Sequence, residues 1–232
     1  MLHHLLASAM LACALASAAP AADDEKGFKP IFKGKDLTDW DGKPGWWYVE
    51  DGALTSQSTK EKPCKGCNYL IWRGGKPADF ELRCLFRLSE GDGSNSGIQF
   101  RSQERPNWDT SGYQADMNGG AMGYMGCLYE HTRGLVSARG QKTVIDEQGK
   151  KQITPLGDPK ELKQHVKPND WNEYRVIARG PDITLVINGQ VMTQVTDRQV
   201  GRAARDGIIA LQMHPGPPMK VQFKDLRIKT LP

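Results

Sequence analysis

Apolar and polar residues alternate with a period of two along much of the chain. The clearest run covers residues 80–88, in which every second residue is Phe, Leu or Cys. Alternate side chains of a strand lie on opposite faces of a sheet, so this run predicts a half-buried strand. Strand-like runs separated by turn residues also cover 46–49, 53–55, 174–178, 183–187, 191–195, 207–213 and 219–228. Many short strands with almost no helix predict an all-β sandwich of two antiparallel sheets.

A hairpin is predicted where Asn188-Gly189 separates two β-rich runs. This pair is typical of a two-residue turn, because both residues must adopt positive φ. The register of such a hairpin places Val186 opposite Val191 and Leu185 opposite Met192.

Little of the chain has a helical pattern. The exception is residues 158–164, where Asp158 is a suitable N-cap and Pro159 suits the first helical position. The surrounding residues 134–168 are polar and irregular, and we expect them to form one long loop or flap.

Three of the predicted strands carry an unusual set of polar residues. Residues 98–101, 113–116 and 211–214 alternate apolar with polar positions, and the polar residues are Gln, Arg, Asp and His rather than Lys, Glu and Thr. If these strands are neighbours, one face collects Gln99, Arg101, Gln114, Asp116, Gln212 and His214. Glutamine amides suit hydroxyl recognition because each both donates and accepts hydrogen bonds. A solvated sheet face would show similar polarity. We favour the functional interpretation for the Arg, Asp and His and weigh the two equally for the glutamines.

Several residues outside these three runs are candidates to rim the same face. Tyr129, Glu130 and Arg133 follow closely after the second run. His131 is interpreted instead as a solvated loop residue. Trp108 lies in an irregular polar segment, where an aromatic ring can stack on a sugar.

Composition and charge exclude some classes of partner. The 232 residues carry a formal net charge of +4 without a long basic run, which disfavours nucleic-acid binding. No apolar stretch of the body is long enough to predict a membrane span. Asp116, Glu130 and His214 are metal-ligand types, so a divalent cation stays an alternative. No spacing among them favours a metal, and we predict no cofactor.

The first 22 residues are typical of a bacterial export signal. A short hydrophobic stretch over residues 5–19 leads into small-residue exit sites of the Ala-x-Ala type. We predict a signal peptide over residues 1–22 and a periplasmic or secreted mature protein without a membrane span. Export permits disulfides, and a local Cys64–Cys67 bond is our first interpretation of the cysteines. Cys84 lies on an apolar face and is interpreted as a buried thiol.

Short motifs follow one another in a characteristic order along nearly the whole mature chain. They cover 27–40, 47–54, 79–82, 95–101, 112–116, 126–129, 170–174, 187–189, 207–212 and 223–229. Together they resemble the 3-keto-disaccharide hydrolase domain family, formerly a domain of unknown function. The resemblance implies one domain over residues 27–232, a concanavalin-like jelly roll with a sugar site on its concave sheet. Many members carry Glu where Gln114 stands, which leaves Asp116 as the stronger acid candidate here.

The resemblance also implies cleavage of glycosides already oxidised to a ketone at C3. Such a ketone acidifies the C2 proton, so cleavage needs a base, a stabiliser for the enolate oxygen and an acid. Asp116 and His214 are candidates for base or acid, and Arg101 or Arg133 for holding the enolate oxygen. Direct glycosidase action by Asp116 and Glu130 ranks lower. The alternative is a non-catalytic, secreted carbohydrate-binding module that uses the same glutamine-rich face.

Overall fold

Two β-sheets pack face to face in the computed structural model of the chain, which describes residues 25–89, 93–119 and 123–232. The strands are β1 (Lys29–Pro30), β2 (Trp40–Gly42), β3 (Trp47–Glu50), β4 (Ala53–Ser58), β5 (Asn68–Trp72), β6 (Phe80–Ser89), β7 (Asn95–Arg105), β8 (Asp109–Asn118), β9 (Leu128–Glu130), β10 (Gly134–Ser137), β11 (Gln141–Ile145), β12 (Lys151–Pro155), β13 (Asn172–Arg179), β14 (Asp182–Ile187), β15 (Gln190–Asp197), β16 (Ile208–Met213) and β17 (Met219–Thr230). The predicted signal peptide at residues 1–22 lies outside the described residues and stays a prediction.

The ten-stranded sheet has the order β12-β11-β15-β14-β13-β6-β17-β4-β3, with β1 paired to β17. The seven-stranded sheet has the order β10-β9-β8-β7-β16-β5-β2. Neighbouring strands are antiparallel apart from β11 and β15, which pair in parallel. The predicted all-β two-sheet sandwich is therefore confirmed.

The core between the sheets is built from the apolar members of the alternating runs. Ile98 and Phe100 of β7 and Leu211 and Met213 of β16 are fully buried there, as their period of two predicts. Burying one such side chain contributes about 1.5–3 kcal/mol. Cys84 is also fully buried, which confirms its interpretation as a core thiol.

The predicted hairpin joins β14 to β15. Both turn residues adopt positive φ, 49° and 80°, as a two-residue turn of this type requires. Val186 pairs with Val191, as predicted. Leu185 pairs with Thr193 rather than Met192, because the register shifts by one residue just before the turn.

A single helix, α1 (Pro159–Gln164), is found among the described residues, at its predicted position. The Asp158 side chain accepts hydrogen bonds from the backbone N–H groups of Lys160 and Glu161, at 2.7 and 3.1 Å. These bonds satisfy donors that the first helical turn leaves unpaired. Nowhere in the described ranges is there a helix long and apolar enough to cross a membrane.

The prediction of one long loop over residues 134–168 is wrong. The segment forms β10, β11 and β12 before α1. β11 pairs with β15 on one side and with β12 on the other, which extends the ten-stranded sheet. All five residues of β12 are exposed, so neither face of this strand is buried. Its sequence therefore lacks the apolar–polar alternation that predicts a strand.

The predicted Cys64–Cys67 disulfide is also wrong, since both cysteines are free thiols. Cys64 packs in the core between the sheets, with its Sγ 3.6 Å from Asn68 Nδ2. Cys67 Sγ instead lies 3.6 Å from Gln212 Nε2. Each thiol therefore has a polar partner of its own in place of a disulfide.

Arg101 lies at a β-bulge of β7 and adopts a positive φ of 44°. Its guanidinium donates to the carbonyl oxygens of Ala78 and Gly180, at 2.8 and 2.7 Å, and to Asp79 Oδ1 at 2.9 Å. The predicted placement of Arg101 beside Gln99 is therefore wrong. The bulge interrupts the two-residue period and turns the side chain toward the start of β6 and the β13–β14 turn.

We expect Arg101→Met to lower the free energy of unfolding by about 2–4 kcal/mol, because it leaves two carbonyl oxygens without this donor and removes the cation that pairs with the Asp79 carboxylate. Urea unfolding of the purified protein measures this change. Arg105→Met is the matched control, because Arg105 is exposed at the end of the same strand. Equal midpoints for the two variants would contradict the structural role of Arg101.

Candidate functional site

The outer face of the seven-stranded sheet, which points away from the core, carries buried polar side chains. Gln99 of β7 pairs with Gln114 of β8, and Gln212 of β16 pairs with Tyr69 of β5. The structure thus brings together Gln99, Gln114, Asp116 and Gln212, which the sequence predicted to share one face. We call the following set the polar cluster: Tyr69, Gln99, Gln114, Asp116 and Gln212. Each of its members is at most 4% exposed.

An apolar patch adjoins the polar cluster on the same face. Trp108 packs there against residues of β5 and β16, separately from the core between the sheets. Two consecutive residues with positive φ, Asn107 and Trp108, carry the indole over the face at the β7–β8 turn. The indole Nε1 donates to Asp41 Oδ1 at 2.9 Å. Asp41 Oδ2 in turn forms a salt bridge with Arg73 Nη2 at 2.6 Å. Trp108 therefore lies where the sequence analysis expected a sugar-stacking ring.

A chain of side-chain hydrogen bonds runs across the polar cluster toward Asp116. Ser102 Oγ donates to Gln99 Oε1 at 3.1 Å, and Gln99 Nε2 donates to Gln114 Oε1 at 2.5 Å. Gln114 in turn hydrogen-bonds the carboxyl group of Asp116. The chain fixes which end of each amide donates, and it orients the Gln114 amide toward the acid.

Gly97 makes room for this arrangement. It pairs with Asp116 across β7 and β8, in the strand next to Gln114. A Cβ at position 97 would lie 2.5 Å from Gln114 Cγ and 2.7 Å from Gln114 Nε2. The Gln114 side chain thus fills the space that a side chain at position 97 would need, at the centre of the face.

Asp116 is the carboxyl group of the polar cluster, and it is only 4% exposed. Burial raises its pKa to about 7, while hydrogen bonds from Gln114 and the Met117 backbone lower it. Oδ1 of Asp116 is buried and has no hydrogen-bond partner among the described residues. The group therefore changes charge near neutral pH and keeps one oxygen for a ligand.

Tyr69 and His131 form a second hydrogen-bonded unit on this face. The Tyr69 hydroxyl accepts from Gln212 Nε2 at 3.0 Å and lies 3.1 Å from His131 Nε2. His131 Nδ1 lies 3.2 Å from the Gly112 carbonyl oxygen, so Nδ1 carries the proton and Nε2 accepts from Tyr69. The expected solvated position of His131 is therefore wrong.

Tyr129 extends the face toward its edge. It pairs with Gln114, and its ring packs edge-on to His131 with centroids 5.9 Å apart. The sequence analysis placed Tyr129 at this rim but missed Tyr69. The strand of Tyr69 reads Tyr-Leu-Ile at residues 69–71, so it has no polar alternation to show which side chains face outward.

His214 directly follows β16. The alternation of that strand puts it on the same side as Gln212. Its Nδ1 lies 2.5 Å from the Pro215 carbonyl oxygen, so Nδ1 carries a proton. Burial lowers the pKa of His214, which favours the neutral ring. No described residue hydrogen-bonds its Nε2, which is then a free acceptor.

Glu130 and Arg133 do not join the outer face. Since Tyr129 points outward, its neighbour Glu130 in β9 points to the opposite side. Glu130 Oε2 accepts from Arg133 Nε at 3.2 Å, and Arg133 Nη1 donates to Asp197 Oδ2 at 2.7 Å. The predicted placements of both residues at the rim are therefore wrong. Within the described ranges, no three His, Cys, Asp or Glu residues are grouped to hold a metal ion.

Solved structures share this architecture. The chain is similar to a candidate glycosyl hydrolase from Parabacteroides distasonis, with a TM-score of 0.61 and 19% identity, over 88% of this chain and 99% of the other. It is similar to a carbohydrate-binding module from Bacillus subtilis, with a TM-score of 0.56 and 14% identity, over 86% and 99%. It is also similar to a non-specific endo-beta-1,3(4)-glucanase, with a TM-score of 0.53 and 13% identity, over 88% and 91%. At such identities the likeness shows the fold alone.

The fold and the sequence define a carbohydrate-related β-sandwich domain. The chain belongs to the family described as the 3-keto-alpha-glucoside-1,2-lyase-like domain, which matches residues 27–229. The resemblance drawn from the sequence motifs is thereby confirmed. Among curated proteins, a comparison finds no significant match.

We expect Gly97→Ala to lower the free energy of unfolding by about 1–3 kcal/mol, because the new methyl group displaces Gln114 and breaks its bonds to Gln99 and Asp116. Urea unfolding measures the effect. Gly66→Ala is the control, because a Cβ at Gly66 meets no atom within 4 Å. An unchanged midpoint for the position-97 variant would contradict the packing described here.

We expect the stability of the protein to depend on pH through Asp116. Its pKa is about 7 in the folded state and 3.8 as the ordinary value, so the folded state binds this proton more tightly. Asp116 therefore lowers the free energy of unfolding as the pH rises from about 4 to about 7. Asp116→Asn removes this effect. The free energy of unfolding of the variant should therefore exceed that of the unmodified protein by an amount that grows to at most about 4 kcal/mol across that window. Urea unfolding at several pH values measures it, and a pH-independent difference would contradict the raised pKa.

Proposed function

We propose that the protein cleaves 3-keto-glycosides by removing the C2 proton and expelling the C1 substituent, as a lyase or, if water then adds, a net hydrolase. The observation that carries this proposal is the buried Asp116, which titrates near neutral pH within a glutamine-rich face. The family description names the same class of chemistry.

The outer face suits a sugar on two counts. The amides of the polar cluster can exchange hydrogen bonds with ring hydroxyls, since each has both a donor and an acceptor end. Gln212 Oε1 and Asp116 Oδ1 have no partner among the described residues, so a bound hydroxyl or carbonyl can complete them. The partly buried Trp108 beside them offers an apolar surface for the C–H face of a ring.

The chemistry favours a ketone over an ordinary glycoside. Hydrolysis of an unactivated glycoside uses two carboxyl groups that flank the bond. The polar cluster contains one, because Glu130 points to the opposite side. A C3 ketone lowers this requirement, since the C2 proton becomes acidic and one well-placed base can start the cleavage. We assign the proton transfers on this face to Asp116 and His214, because both ring nitrogens of His131 are engaged, with Tyr69 and with the Gly112 carbonyl oxygen.

The second candidate function is a non-catalytic carbohydrate-binding module. It is supported by the similar fold of the carbohydrate-binding module from Bacillus subtilis, matched over 99% of that chain. Such a module would need the glutamines and Trp108 but no titrating group beside them.

We expect the purified protein to release a monosaccharide from a 3-keto-disaccharide and to leave the unoxidised parent intact, because only the ketone acidifies the C2 proton. Chromatography of both incubations measures the release, and an incubation without protein corrects for spontaneous elimination of the ketone. Binding of either sugar, followed by calorimetry, without any release would instead favour the binding module. Equal release from both sugars would contradict elimination chemistry.

A further inference from the structure

None of the five residues that make up the polar cluster is an arginine or a lysine. The two arginines that the sequence offered for the enolate oxygen are engaged elsewhere, Arg101 with Ala78 and Gly180 and Arg133 with Asp197. An enolate that forms during cleavage nevertheless needs a donor aimed at its oxygen. The donor must therefore come from the neutral groups of the face.

The carboxyl group of Asp116 is surrounded by neutral partners. The Gln114 amide and the Met117 backbone N–H contact it, and its Oδ1 is unpaired among the described residues. A carboxyl group that is buried without a cation favours its protonated form. A protonated acid in such a site can donate a hydrogen bond to a developing oxyanion.

We infer that Asp116 acts as a neutral carboxylic acid that donates a hydrogen bond to the C3 oxygen, while His214 Nε2 is the base that removes the C2 proton. This inference rests on the proposed function and decides between the two roles left open there. The orientation of His214 supports it, because the bond from Nδ1 to Pro215 leaves Nε2 as the acceptor. The raised pKa of Asp116 and the lowered pKa of His214 agree with these protonation states.

The sheet holds the two groups on one face, two strands apart. The register puts Gln212 level with Gly97, which pairs with Asp116, and His214 lies two residues beyond Gln212. Two strand spacings across and two residues along give a Cα separation of about 12 Å. Both groups can therefore contact one ligand that is bound on this face.

Each step of the cleavage then balances without a further reactant. His214 Nε2 takes the proton from C2, and the electron pair of that bond forms the C2=C3 double bond of an enolate. The enolate oxygen accepts a hydrogen bond from the protonated Asp116. The enolate then collapses to restore the C3 ketone and form a C1=C2 double bond, which expels the C1 oxygen. His214 returns its proton to this oxygen, and Asp116 stays protonated throughout.

The thiol and phenol groups near the two residues are uncharged. Burial raises the pKa of Cys127 to about 11 and also raises the pKa of Tyr174, whose hydroxyl donates to the Asp116 carbonyl oxygen at 3.3 Å. Cys67 precedes β5, its Sγ lies 3.6 Å from Gln212 Nε2, and burial also raises its pKa. None of these three groups should titrate between pH 5 and 9. Asp109 acts on Cys67 through its charge, and His131 lies on the same face, bonded to Tyr69. Arg139 lies beside Cys127, and its guanidinium is engaged with backbone carbonyl oxygens.

The test is kcat/KM for a 4-nitrophenyl 3-keto-glucoside between pH 5 and 9. We expect the activity to fall as the pH rises through about 7, because Asp116 ionises and can no longer donate. Asp116→Asn keeps a donor, so it should retain activity within about tenfold and lose this fall. Asp116→Ala should lose about 100-fold or more. Glu161→Gln, a carboxyl-to-amide change on an exposed helix, is the matched control.

A second readout tests the base. We expect His214→Gln to abolish the exchange of the C2 hydrogen with solvent deuterium and to lower kcat/KM by about 100-fold or more. Thermal unfolding checks that each variant is folded. An inactive but folded Asp116→Asn, with unmodified activity that rises through pH 7, would make Asp116 the base and overturn the assignment alone. Failure of the unmodified protein to cleave the ketone would overturn the proposed function and this assignment with it.

Discussion

Both faces of the seven-stranded sheet are buried at its centre, and this constraint decides which residues its strands carry there. The inner face holds apolar residues against the ten-stranded sheet, and the outer face holds the polar cluster and the patch under Trp108. Buried polar groups need hydrogen-bond partners, so the amides form a chain that ends at Asp116. Within the polar cluster, two oxygens, on Asp116 and Gln212, lack a partner among the described residues. The candidate site therefore lies where the packing of the sheet leaves hydrogen bonding incomplete.

The sequence predicted the strands that have one apolar face and missed those that have none. Residues 80–88 alternate regularly, residues 219–223 do so up to a bulge at Asp225, and both runs pack on the core, so their pattern located β6 and β17 closely. The five residues of β12 are all exposed, and β11 next to it is only partly buried. Their place in the sheet comes from backbone hydrogen bonds to distant strands, which leave no mark on a local pattern of hydrophobicity.

The two-residue alternation predicted the candidate site wherever the strands keep that alternation. The pattern placed the three glutamines and Asp116 on one face. It misplaced Arg101, because a bulge interrupts β7, and Glu130, because its neighbour Tyr129 already faces outward. It could not find Tyr69, whose partner His131 comes from a distant loop. A bulge and a long-range contact both depend on strand pairing, which a single sequence does not state.

The parallel pairing of β11 with β15 has a consequence for the order of folding. Gln141 pairs with Thr193, so β11 cannot complete its hydrogen bonds until the whole β13–β14–β15 meander has been synthesised and has formed. Such non-local closure is slow relative to a hairpin. Without β15, a ribbon of β11 and β12 has an open edge on each side. The exposed Lys151 and Gln152 of β12 keep the outer edge polar, which discourages pairing with another chain before and after the sheet is complete.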